Sequence, residues 1–144
     1  MKPLIIKIVW NDWPALFAVV SLPILVILYF IHPFVLSKPE TKGFIQVFLL
    51  ILSIPVFALL FWRIGRVKSL FRTNVTVPGI IEDLFIVKDR GRLEFSYVIG
   101  SKKINSWAPV HETKHVISMS SGMEVNVLYD PKKPSRAIIR ELFI

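Results

Sequence analysis

The chain has 144 residues, of which 53% are hydrophobic and 19% charged, and its mean hydropathy is +0.59. This composition is too apolar for an ordinary soluble domain and indicates a membrane protein. Acidic residues interrupt the net charge of +8, so we expect no nucleic-acid-binding face. The absence of cysteine excludes disulfides and thiolate chemistry.

The first apolar run follows a short N-terminal segment. Residues 1–13 are predicted to be cytoplasmic or interfacial, because MKPLIIKIVW is apolar with two separated lysines and too short to cross a bilayer. Asp12 can cap a helix, and Pro14 needs no backbone donor in the first turn. Residues 14–36 would extend about 35 Å as a helix, which predicts the first transmembrane helix. We expect this segment to be retained rather than cleaved as a signal peptide.

The second apolar run predicts an antiparallel return. Residues 37–43 are polar and predict a short external loop, and residues 44–62 predict a second transmembrane helix of about 29 Å. A basic juxtamembrane linker, residues 63–74, follows it. This linker is more basic than the loop, so the sequence predicts a multi-pass protein of the cell (inner) membrane with both termini in the cytoplasm.

Four basic side chains of the linker are predicted to face anionic lipid headgroups: Arg63, Arg66, Lys68 and Arg72. Each adds about 1 kcal/mol of attraction to an anionic surface. Three apolar side chains between them can enter the acyl boundary of a lipid-bound helix: Val67, Leu70 and Phe71. The alternative is that the charges only orient the protein and that the linker is a passive connector.

Residues 75–144 predict a cytoplasmic all-β domain, because the apolar period changes to two. About five antiparallel strands are expected, in a small barrel or curled sheet. The predicted strands are 75–87 with a bend or bulge at Pro78-Gly79, 93–99, 102–107, 123–129 and 136–143, with a turn at 89–92 and a type II′ hairpin turn at Gly100-Ser101. Six residues are assigned to structural turns: Gly79, Gly100, Gly122, Asp130, Pro131 and Pro134.

Parts of this domain carry a resemblance to a known family. The hairpin segment FSYVIG, residues 95–100, and the segment GMEVNVLYDPKKP, residues 122–134, resemble a family of mainly bacterial membrane proteins known as a domain of unknown function. The usual pattern of that family is a Y-x-V-x-G hairpin followed by G-x-x-V-x-V-x-Y-D-P-x-x-P. The resemblance implies a membrane-anchored β domain and no assigned activity.

One motif in the sequence is typical of a class of enzyme. His111, Glu112 and His115 read H-E-x-x-H, which on a helix can bind zinc and supply a base. The segment is short, lies between strands and lacks the third ligand of the extended motif. We therefore predict no catalytic, cofactor or metal residues, and a membrane-anchored binding or assembly module whose partners are the bilayer and an unknown protein or a second copy. A membrane-bound zinc hydrolase is the alternative.

Overall fold

A computed structural model describes residues 3–35, 39–73 and 75–144 of the chain. The helices are α1 (Ile5–Asn11), α2 (Trp13–Val35), α3 (Pro39–Thr73) and the single turn α4 (Lys114–Ile117). The strands are β1 (Thr76–Val87), β2 (Arg90–Ile99), β3 (Lys102–His111), β4 (Glu124–Asp130) and β5 (Lys133–Ile139), followed by a 3-10 helix (Arg140–Phe143). A helical hairpin followed by an antiparallel five-stranded β domain is therefore confirmed.

The two long helices carry most of the apolar sequence. Both α2 and α3 are long and apolar enough to cross a bilayer. The backbone N–H of Ala15 donates to Asp12 Oδ1 at 3.2 Å, so Asp12 caps α2 as predicted. The predicted loop 37–43 is too long, because α3 begins at Pro39, a residue that suits a first helical turn. Residues 36–38 lie outside the described part of the chain.

The sheet has the order β3-β2-β1-β4-β5 and is nearly closed like a barrel. Strand β1 pairs with β4 through its first half and with β2 from Gly79 onward. Its register shifts between Ile81 and Asp83, so the bulge predicted at Pro78-Gly79 lies a few residues further on. This shift lies just beyond the point where β1 leaves β4, and only β2 pairs with the remainder of β1.

The last turns of α3 contribute to the core of the β domain. Val67, Leu70 and Phe71 are 3%, 1% and 9% exposed and belong to the same buried cluster as the inward side chains of the sheet. The expectation that these three side chains enter lipid is therefore wrong. Strands β3 and β5 are not hydrogen-bonded to each other, and Val67 of α3 lies beside the cavity between them.

The N-terminal helix joins the same core. Ile8 of α1 is fully buried, the backbone N–H of Leu4 donates to Phe143 O at 3.1 Å, and Asn11 Nδ2 donates to Leu142 O at 2.5 Å. The strand predicted for residues 136–143 is too long, because the chain turns into the 3-10 helix after Ile139. Leu142 and Phe143 of this 3-10 helix are buried, and the helix contacts α1.

The first hairpin turn differs from the turn predicted at residues 89–92. Lys88 and Asp89 occupy the two central positions, with φ of 47° and 62°, as a two-residue hairpin of type I′ requires. Gly91 instead lies in β2, where an added Cβ would stand 2.8 Å from Phe85 O. The glycine is needed for this close approach rather than for the turn.

Candidate functional site

A buried ion pair lies between the start of α2 and α3. Arg63 Nε donates to Asp12 Oδ1 and Oδ2 at 3.2 and 3.0 Å, and Arg63 Nη2 also contacts Oδ2. The two side chains are 11% and 2% exposed. Burial raises the pKa of Asp12, whereas the Arg63 guanidinium and the Ala15 N–H act in the opposite direction. The charge of this carboxylate therefore depends on Arg63.

Sequence reasoning treated Asp12 as a helix cap and Arg63 as a lipid-facing cation. Their pairing follows from the hairpin, because the start of the first helix and the end of the second apolar run lie at the same end of an antiparallel pair. The sequence pattern that could have predicted this pair is Asp12 just before the first apolar run and Arg63 directly after the second. Arg63 is the member of the predicted lipid anchor that the structure turns inward.

The other three members of the predicted anchor lie in two settings. Arg66 is half-buried, with its Cζ 5.8 Å from the centre of the Trp62 ring. Lys68 and Arg72 are exposed. Of the four basic residues, Arg63 forms the internal ion pair, Arg63 and Arg66 both lie over the Trp62 ring, and Lys68 and Arg72 are surface charges.

A cavity of about 170 Å³ lies where the open side of the barrel meets α3. Its walls come from the start of α2, from α3, from β3 and β5, and from the C-terminal 3-10 helix: Asp12, Arg63, Arg66, Val67, Ser106, Trp107, Ala108, Pro109, Ser135, Ala137, Ile138 and Phe143. Asp12 is the one carboxylate among these lining residues, and Arg63 already engages it. The carboxylate in this lining is thus held by an ion pair and is not available as a general base.

The H-E-x-x-H segment does not form one helix. His111 is the last residue of β3, and Thr113 caps the single turn α4, where its Oγ1 accepts from the Val116 N–H at 3.2 Å. His111 packs edge-on against Trp10, and His115 Nε2 lies 3.0 Å from Glu141 O. Across the described ranges, no three His, Cys, Asp or Glu side chains are grouped to hold a metal ion.

The residues assigned to turns have different roles. Gly100 and Gly122 have φ of +61° and +84° and lie in turns, as predicted. The Lys132 N–H donates to Asp130 Oδ1 at 3.0 Å, which closes the tight turn containing Pro131.

Gly79 and Pro134, in contrast, lie inside strands, so their assignment to turns is wrong. Gly79 allows β1 to approach Val127 and Ser96, and Pro134 O accepts a hydrogen bond from the buried Tyr97 hydroxyl. Burial also raises the pKa of Tyr97.

Comparison of the chain with models of protein families, with curated proteins and with solved structures found no match. The resemblance of residues 95–100 and 122–134 to a domain family therefore stays a prediction.

Proposed function

We propose that this chain is a membrane-anchored binding and assembly module without enzymatic activity, held in the inner membrane by α2 and α3. The observation that supports this proposal most directly is the shared core. Val67 and Leu70 of α3 and Ile8 of α1 are buried among side chains of the β domain. A domain joined to its anchor in this way is presented at a fixed height and orientation, which suits a binding surface.

The exposed surface of the hairpin favours a lipid environment. Large apolar side chains along α2 and α3 remain open, including Phe17, Phe34 and Phe61 at 55%, 89% and 68% exposure. Soluble monomers rarely expose contiguous apolar surface of this extent. A bilayer around both helices would cover it.

The outer face of the sheet offers a surface for a protein partner or a second copy. Phe85 and Trp107 are 65% and 52% exposed. Arg92 is the register partner of Phe85, and its Cζ lies 4.9 Å from the centre of the Trp107 ring. Exposed aromatic and arginine side chains are the types most enriched in interface hot spots. We assign this surface to partner binding.

The proposed topology places both termini in the cytoplasm. A reporter enzyme that is active only outside the cytoplasm, fused after Ile144, should give no signal, because the basic residues after Trp62 favour the cytoplasmic side. The same reporter inserted at residue 38, between the two proposed membrane spans, should be active. Strong activity of the C-terminal fusion would contradict the topology.

The zinc hydrolase is retained as a second candidate because of one observation. His111 Nδ1 is buried and has no hydrogen-bond partner among the described residues. Metal analysis of the purified protein separates the two functions. We expect less than stoichiometric zinc, unchanged in His111→Ala and His115→Ala; stoichiometric zinc that is lost in both variants would replace the binding module with the hydrolase.

A further inference from the structure

A second group of basic side chains lies outside the ion pair, between α3 and the start of β5. Five residues line an open cleft of about 420 Å³, which we call the basic cleft: Trp62, Arg66, Lys133, Ser135 and Arg136. Arg66 lies one turn beyond Trp62, so both side chains point from the same face of α3. The cleft therefore brings together two segments that are far apart in the sequence.

The charges of the basic cleft are only partly balanced. Arg136 Nη1 lies 3.9 Å from Asp130 Oδ2, at the limit of an ion pair, and Arg136 Nη2 donates to Ser69 Oγ at 2.9 Å. In the described part of the chain, Arg66 and Lys133 make no ion pair with a carboxylate. The cleft lining thus holds three cations and no carboxylate, with Asp130 at its edge beside Arg136, and the Ser135 hydroxyl adds a further hydrogen-bond donor.

The position of the cleft relative to the apolar run indicates where its ligand lies. Trp62 ends the apolar part of α3, and Arg66 is about 6 Å further along the helix axis. Tryptophan is enriched at the boundary between hydrocarbon and headgroups. If α3 crosses the bilayer as proposed, the basic cleft stands at the level of the lipid phosphates.

We propose that the basic cleft binds a phosphate group, with Arg66, Lys133 and Arg136 as its ligands. Guanidinium groups match the oxygen geometry of phosphate, and an ammonium group adds a compact positive charge. Such a phosphate can belong to an anionic phospholipid or be free in solution. The inference deepens the proposed function, since a specific lipid at this site would fix the β domain against the cytoplasmic surface.

The test compares two double variants of the full chain in a nonionic detergent at low ionic strength. Arg66→Gln with Lys133→Gln removes one charge from α3 and one from the segment after β4, both in the cleft. The control, Lys68→Gln with Lys132→Gln, also removes one positive charge from each of these two segments, but neither residue lines the cleft. Binding of short-chain phosphatidylglycerol, short-chain phosphatidylcholine and inorganic phosphate is measured for each, with thermal unfolding as a check on folding.

We expect the cleft variant to bind phosphatidylglycerol about tenfold more weakly than the natural chain, and the control variant to differ by less than about twofold. Phosphatidylglycerol binding stronger than inorganic phosphate binding identifies a lipid site, and equal binding identifies a site for a soluble phosphate. Equal weakening in both variants, or no binding of either phosphate compound by the natural chain, would overturn the proposal. Binding in detergent does not depend on topology or zinc content, so it can fail while the proposed function stands.

Discussion

Gly79 lies where an added side chain would collide with both neighbouring strands. A Cβ at this position would lie 2.6 Å from Val127 Cγ2 and 2.8 Å from Ser96 O, and the second contact is with backbone that cannot move aside. We expect Gly79→Ala to lower the free energy of unfolding by about 1–3 kcal/mol, as overpacking does in other cores. Thermal and denaturant unfolding in detergent would measure the loss.

Gly65 provides the matched control for this substitution. It lies in α3, and nothing stands within 4 Å of an added Cβ. Because alanine favours a helix over glycine by about 1 kcal/mol, Gly65→Ala should stabilise the protein slightly or leave it unchanged. Equal effects of the two substitutions would show that the close approach at Gly79 is not what limits the sheet.

The ion pair of Asp12 and Arg63 predicts a pH-dependent loss. Arg63→Met keeps an apolar stem but leaves a buried carboxylate without its cation, so we expect a destabilisation of about 3 kcal/mol or more at neutral pH. The Arg63 guanidinium lowers the pKa of Asp12, so without it burial raises the folded-state pKa of Asp12 further above its ordinary value. A group with a raised folded-state pKa stabilises the fold when protonated, and this stabilisation is lost as pH rises through that pKa.

The difference in unfolding free energy between the natural chain and Arg63→Met should therefore shrink as the pH is lowered through the folded-state pKa that Asp12 has in the variant. Adding Asp12→Asn to Arg63→Met should recover part of the loss at neutral pH, because no charge then remains buried. A destabilisation by Arg63→Met that is the same at every pH, with no recovery in the double variant, would contradict the role of the pair.

At the scale of elements, the end of α3 is a structural part of the β domain. Leu70 is 1% exposed, whereas Arg72, one half-turn away, is exposed. We expect Leu70→Ala to cost about 2–5 kcal/mol and Arg72→Ala to change the stability by less than about 0.5 kcal/mol. If both substitutions had similarly small effects on stability, the end of α3 would be a passive connector rather than part of the core.

The same segment shows how far the sequence could predict the fold. Hydrophobic length and period were enough for the two helices and five strands, because both signals are local. The burial of Val67, Leu70 and Phe71 depends on packing against the assembled sheet, which exists only after the strands have paired. Lys133 and Arg136 of the basic cleft are likewise brought to Arg66 by tertiary packing, which no local pattern in the sequence records.

At the scale of the whole molecule, the β domain and its anchor share one hydrophobic core. The barrel is not closed by hydrogen bonds between β3 and β5, and helical side chains from α3 and α1 complete its core. Small domains bury a limited fraction of their surface, so the loss of several core side chains removes much of their net stability. Residues 75–144 by themselves would expose the apolar surface that these helices cover.

We therefore expect a fragment of residues 75–144 to lack a cooperative thermal transition and to bind a dye that reports exposed apolar surface. A longer fragment, residues 62–144, restores the end of α3 and should recover a transition at a lower temperature than the full chain, because it still lacks Ile8 of α1. Circular dichroism and calorimetry on the three proteins would show this order. A fragment of residues 75–144 that unfolds as cooperatively as the full chain would mean that the β domain is an independent unit, and that the helices anchor it without completing its core.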